Sequence, residues 1–276
     1  MAYTAYLIEP EELEAVLDDP DVLVIDLGKT QTYAQLHIPG AMHVEYSLLT
    51  AGTQPAPGLL PPEDRLENLA GMLKLDTVSR IIAYDDEGSG CAARLVWTLH
   101  YLGFDSVQVL NGGLHAWNKE GHPVDNEPVF PHASASLPLA GRNPTILADR
   151  AYILEQLGSQ SVALLDARTP EEYSGATIRA ARGGHIPGAV NLNWLDTMDR
   201  NRNLRLKPAE LLNETLSALG VRPEQEVITY CQSHHRSAHA WLMLKSLGFS
   251  RVRGYAGSWS EWGNDPSVPV TTGTSP

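Results

Sequence analysis

The chain has 276 residues, 43% of them hydrophobic, with 23 Gly, 19 Pro and a formal net charge of −13 at pH 7. That length suits two domains of about 130 residues better than one core, and the composition is that of an ordinary globular protein. The negative charge disfavours nucleic acid and anionic membranes as partners. No apolar run reaches the roughly 20 residues of a bilayer span, and the N-terminal stretch has no basic region leading into an apolar one, so a cytoplasmic protein is expected. The two cysteines, Cys91 and Cys231, form no C-x-x-C pair and have no histidine at metal-ligand spacing. Neither a metal, a cofactor nor a disulfide framework is expected.

In chain order, the first half opens with an apolar strand, VLVID, ending at Asp26. Tyr33 follows, then His37-Ile38-Pro39-Gly40 and an extended segment. A helix is predicted after Pro62, then the strand RIIAY, the loop DDEGSG, and a helix CAARLVWTLHYLGF with Gly103 at its C-terminal cap. A short strand, a glycine turn and a Trp-bearing helix close this half. Residues 126–148 are rich in Pro, Ser and Ala without periodicity, which places a linker at 129–146 between a domain at 1–128 and another at 147–276.

The second half repeats the order: VALLD to Asp166, Tyr173, His185-Ile186-Pro187-Gly188, a helix after Pro208, the strand EVITY, a loop, a helix capped by Gly248, and VRGYAGSWSEW. Alternating strands and helices imply a mainly parallel α/β sheet in each half. The duplication also supplies an internal control. Features shared by both halves read as scaffold: the two aspartates, the two tyrosines and the two His-Ile-Pro-Gly turns. The loop after the strand ending in Tyr84 or Tyr230 differs. The first half has Asp85-Asp86-Glu87-Gly88-Ser89-Gly90-Cys91, whereas the second has Cys231-Gln232-Ser233-His234-His235-Arg236-Ser237.

A cysteine at the carboxyl end of a strand, just before a helix, faces unpaired N–H groups that favour an anion. A free thiol is only about 7% ionised at pH 7.4, and lowering its pKa by two units makes it about 90% thiolate. Arg236 and any charge on His234 or His235 push the same way. Cys231 is therefore read as a nucleophile, while Cys91, among Ala92, Ala93 and Leu95, is read as packing.

These features together resemble the rhodanese family of thiosulfate sulfurtransferases: tandem domains, one cysteine opening a six-residue loop, the His-Ile-Pro-Gly segments and the terminal Gly257-Ser258-Trp259-Ser260-Glu261-Trp262-Gly263. The resemblance spans about residues 5–271 and implies two tandem rhodanese-like domains, an inactive first one and a catalytic second one. It also implies a loop whose amides surround the cysteine sulfur, and sulfur transfer through a persulfide on Cys231. Gln232, Ser233, His234, His235, Arg236 and Ser237 are the expected substrate-binding residues. The Cys-Gln-Ser-His-His-Arg loop is similar to that of bacterial two-domain rhodaneses; the animal enzymes tend to carry an arginine where this chain has Glu172, so anion recognition falls to Arg236 and, secondarily, Arg182. The expected partners are a small anionic sulfur donor and a thiol or protein acceptor, for a monomer.

Three alternatives stay open. One is 3-mercaptopyruvate as the donor. Another is a cysteine phosphatase, although that class places five residues between Cys and Arg and this chain has four. The third is a non-catalytic binding module, which fits the first half with its acidic loop.

Overall fold

The computed structural model describes residues 6–130, 135–139 and 141–276. The first domain holds β1 (Leu7–Ile8), α1 (Pro10–Glu14), β2 (Val22–Asp26), α2 (Thr30–Gln35), β3 (Met42–His43), α3 (Glu63–Met72), β4 (Arg80–Tyr84), α4 (Gly90–Tyr101), β5 (Val107–Leu110) and α5 (Gly113–Lys119). Its strands pair in parallel in the order β1-β5-β4-β2-β3. The second domain begins with β6 (Leu147–Ala148), α6 (Arg150–Gln156), β7 (Val162–Asp166), α7 (Pro170–Ser174) and β8 (Ala189–Asn191). It continues through β9 (Met198–Asp199), β10 (Arg205–Leu206), α8 (Ala209–Ala218), β11 (Glu226–Tyr230), α9 (Arg236–Ser246), β12 (Val252–Tyr255) and α10 (Ser258–Trp262). Its parallel sheet runs β6-β12-β11-β7-β8, the same order as the first.

The shared features take equivalent places. Tyr33 donates its hydroxyl to Ala41 O and stacks on His37, with ring centroids 4.0 Å apart; Tyr173 donates to Ala189 O and stacks on His185 at 3.7 Å. Both histidines are fully buried and bond through Nδ1 to the carbonyl of the same tyrosine. The helices α4 and α9 end in matching caps. Gly103 and Gly248 adopt positive φ, and Phe104 and Phe249 donate back to Leu99 O and Leu244 O. Pro62 and Pro208 stand one position earlier than expected, as N-caps rather than first helical residues. The linker read at 129–146 falls partly outside the described residues.

One apolar cluster runs through both domains. Leu95, Val96, Trp97 and Leu99 of α4 share it with Ala240, Trp241, Leu242 and Leu244 of α9, and the two helices pack on each other. Burying these side chains contributes about 1.5–3 kcal/mol each, so the halves form one body rather than beads on a string. The β9–β10 ribbon, which no pattern in the chain had indicated, straps the second domain to the first. Its Arg205 pairs with Glu120 at 2.6 Å, and Leu206 donates its N–H to Asn111 Oδ1 at 2.9 Å.

Gly58 of the first domain lies against the backbone of the second. A Cβ there would fall 2.2 Å from Ser233 O and 2.8 Å from Ala256 O, both backbone atoms that cannot rotate away. Gly58→Ala is expected to cost about 1–3 kcal/mol by overpacking, read as a lowered midpoint in a thermal melt; an unchanged midpoint would mean that the domains are not pressed together there.

Candidate functional site

β11 is buried along its whole length and delivers Cys231 to the carboxyl end of its sheet, where α9 begins. The turn between them is tight, and His234 takes a left-handed conformation (φ 54°). Residues from the far end of the chain hold it there. Ser258 Oγ accepts from the N–H groups of Cys231 (3.3 Å) and His234 (3.1 Å) and donates to Tyr255 O (2.7 Å). Trp259 and Ser260 donate their N–H groups to the carbonyls of Cys231 and Gln232, at 2.9 and 3.0 Å. Beneath the turn, Arg168 makes a buried ion pair with Asp166 and lies over the Trp259 ring, 4.5 Å from its centroid.

The Cys231 sulfur is 1% exposed, yet its surroundings are polar. Burial pushes the thiol pKa up; the Arg236 charge, the Ser237 hydroxyl and the amides of Ser237 and Ser233 outweigh it, and the net shift is downward. The loop amides thus turn toward the sulfur as expected, and two of them bond it. Ser237 Oγ lies 3.4 Å from Sγ and 2.8 Å from His234 Nδ1. For the hydroxyl to donate to sulfur, His234 must donate from Nδ1, which fixes the tautomer of the neutral ring.

The two loop histidines differ in charge. His234 is fully buried, packed edge-on to Trp97 of the first domain with centroids 4.3 Å apart. Burial, then the Arg94 and His235 charges, hold its pKa well below the ordinary imidazole value. His235 is opposed by burial as well, but the Glu87 carboxylate bonded to its Nε2, with Cys231 and Asp85 beyond, raises its pKa. Burial thus favours the neutral form of His234, and the Glu87 carboxylate favours the charged form of His235.

Arg236 makes a two-pronged pair with Glu172, Nη1 to Oε2 at 2.5 Å and Nη2 to Oε1 at 3.1 Å, and Arg179 joins the same carboxylate at 2.9 Å. Gln232 Nε2 bonds Arg179 O (3.0 Å) and Ser260 Oγ (3.1 Å), which fastens the loop's outer rim. Arg182 is used elsewhere. Its guanidinium donates to the carbonyls of Val268 (2.8 Å), Trp262 (3.0 Å) and Asp265, bracing the C-terminal segment, and none of its described bonds reaches the loop.

The first domain contributes more than packing. Arg94 is fully buried and has no carboxylate partner among the described residues; it donates to Leu49 O (2.9 Å) and His234 O (3.4 Å) and lies over Trp97. Glu87, from the acidic loop of the first half, anchors His235. Cys91, read as packing, is half-exposed, with its thiol 3.2 Å from Glu87 Oε1 and 3.6 Å from His235 Nε2. One signal for Arg94 was present in the sequence: a lone cation in the middle of the apolar run CAARLVWTL. Ser258 stood in the terminal Gly257–Gly263 segment, but nothing in that segment indicated its bonds to the Cys231 turn, 27 residues earlier.

Comparison with known proteins bears on this geometry. The rhodanese-like domain family matches residues 9–120 and again 149–265. Thiosulfate sulfurtransferases of Azotobacter vinelandii and Pseudomonas aeruginosa are each 44% identical to the chain, over 264 and 269 residues, with 96% of both partners covered in each case. A probable 3-mercaptopyruvate sulfurtransferase of Pseudomonas aeruginosa is 36% identical over 291 residues, covering 98% of this chain and 99% of that protein. Among solved structures, YnjE superposes with a TM-score of 0.86 at 23% identity, covering 97% of this chain and 68% of that one, a likeness of fold alone. The chain belongs to the rhodanese-like family, with two such domains in tandem.

Proposed function

We propose that the protein is a thiosulfate sulfurtransferase that carries sulfur as a persulfide on Cys231 in the second domain, 147–276. The observation that carries this reading is a buried thiol whose pKa is lowered by directed donors. The thiolate attacks the outer sulfur of thiosulfate; the S–S bond breaks with its electron pair leaving on sulfite, and Cys231 keeps the transferred sulfur. An acceptor nucleophile, cyanide in an assay or a thiol in a cell, then attacks the outer sulfur and returns the thiolate. Two half-reactions sharing one covalent intermediate give ping-pong kinetics. The likeness to a 3-mercaptopyruvate sulfurtransferase keeps that donor as the second reading.

Roles follow from charge. Ser233 and Ser237 stabilise the thiolate; His235 and the buried Arg94 supply the field that draws an anionic donor; His234 and Gln232 hold the turn. Arg236 acts on Cys231 at close range but shares its charge with Glu172. Arg182 has no part in this path.

Treatment with thiosulfate is expected to add one sulfur atom to the intact protein, mapped to Cys231 by peptide mass spectrometry and removed by cyanide. Cys231→Ser should abolish both the gain and turnover, at least about a thousandfold. A sulfur that stays on the Ser variant would overturn the assignment, and parallel loading from 3-mercaptopyruvate decides the donor class.

The thiolate itself can be titrated by the pH dependence of its alkylation rate. Ser237→Ala removes a donor to sulfur and should move the midpoint up. Glu172→Gln frees the Arg236 charge and should move it down, about half a unit or more in each direction. Shifts of the same sign in both variants would rule out the proposed balance.

A further inference from the structure

Glu87, Cys91 and His235 form a second cluster, distinct from the Cys231 sulfur and built from both domains. Their donor atoms all lie within 4.8 Å of one another. The arrangement is not a nucleophile–base–acid relay, in which the thiol and the carboxylate would bind opposite nitrogens of the imidazole. Here the thiol and the carboxylate both lie on the Nε2 side of the ring, and Glu87 Oε1 is within reach of both the thiol and Nε2. Three donors converging on one small volume is what a cation requires.

We propose that Glu87, Cys91 and His235 bind one divalent zinc-like cation between the domains. Thiolate, imidazole and carboxylate are the donor set that zinc takes, and three protein ligands leave a fourth tetrahedral position for water or a small anion. With Zn–S near 2.3 Å and Zn–N or Zn–O near 2.0 Å, tetrahedral edges come to roughly 3.3–3.6 Å. The thiol–carboxylate and thiol–imidazole separations, 3.2 and 3.6 Å, already match. The carboxylate–imidazole edge must lengthen, and the Glu87 side chain, 35% exposed, has room to swing. Binding displaces the thiol proton and any proton on His235 Nε2 to solvent.

The imidazole is held ready for this. Tyr46 and Trp194 meet its ring edge-on, each with centroids 5.6 Å away. Gly90 admits it to the start of α4, since a Cβ there would stand 2.5 Å from Nε2. The carboxylates of Asp85 and Asp86 add negative field. The site stands independently of the sulfurtransferase reading. On that reading it is also a brake, because a metal-bound His235 no longer serves the anionic donor.

The test uses the full-length Cys231→Ser protein, which leaves Cys91 as the lone thiol. Titration with Co²⁺ is expected to give one equivalent of binding with a thiolate-to-cobalt charge-transfer band, erased by Zn²⁺. Adding Cys91→Ser should remove the band and weaken Zn²⁺ binding, measured by calorimetry, at least about tenfold; Gly90→Ala should weaken it by displacing His235. No band in the parent, or equal Zn²⁺ affinity with and without Cys91, overturns the proposal whether or not Cys231 carries sulfur. In the chain with Cys231 intact, Zn²⁺ should slow persulfide loading and Cys91→Ser should relieve the effect. Equal slowing in both would overturn the brake.

Discussion

The site depends on lowering the pKa of one thiol in a place where burial alone would raise it. Desolvation is the largest influence on Cys231 and it opposes the charge. What overcomes it is directional: two amides and a hydroxyl aimed at the sulfur, with guanidinium charge behind them. Direction requires rigidity, and much of the surrounding structure provides it. Ser258 pins the turn at two amides, the carbonyls of Cys231 and Gln232 are taken by the start of α10, and His234 is wedged against Trp97 and the backbone of Gly254. A looser loop would let the amides turn away, and the thiol would revert to the neutral form that burial favours.

That requirement gives the first domain a part in the second domain's site. His234 could not be held neutral and fixed unless Trp97 closed one side of it, and Arg94 could not be buried without the carbonyls of Leu49 and His234 and the face of Trp97. A buried cation without a carboxylate is costly in isolation. The Cys231 charge acts on Arg94 in its favour across the domain boundary, but burial is the larger effect and holds the guanidinium pKa down. The duplicated half has become a wall and a counter-charge.

Much of this was legible in the sequence because duplication doubles every signal. Each strand, helix cap and His-Ile-Pro-Gly turn occurs twice, and an element seen twice with the same punctuation is difficult to misassign. The contrast between Asp85 and Cys231 at matching positions singled out the loop proposed as the site. What stayed hidden were relations between halves. Nothing near Glu87 in the chain announces His235, and the apolar setting of Cys91 concealed its position at a polar interface. The β9–β10 ribbon is too short for a period of two to show. The expectation for Arg182 came from nearness in sequence to His185, whereas its guanidinium follows the C-terminal segment that folds back over it.

Glu172 also bears on the choice between transferring sulfur and cleaving phosphate esters. A phosphoryl group brings three oxygens that need several free amides and an arginine presenting both prongs. In this loop the amides of Cys231 and His234 are taken by Ser258, and those of Ser233 and Ser237 point at the sulfur itself. Both prongs of Arg236 grip Glu172. The loop is therefore matched to the charge and size of one sulfur atom. A single donor sulfur can approach that atom and leave again, whereas a phosphate group would have to break the Arg236–Glu172 pair and strip the turn of its Ser258 anchor before finding equivalent partners.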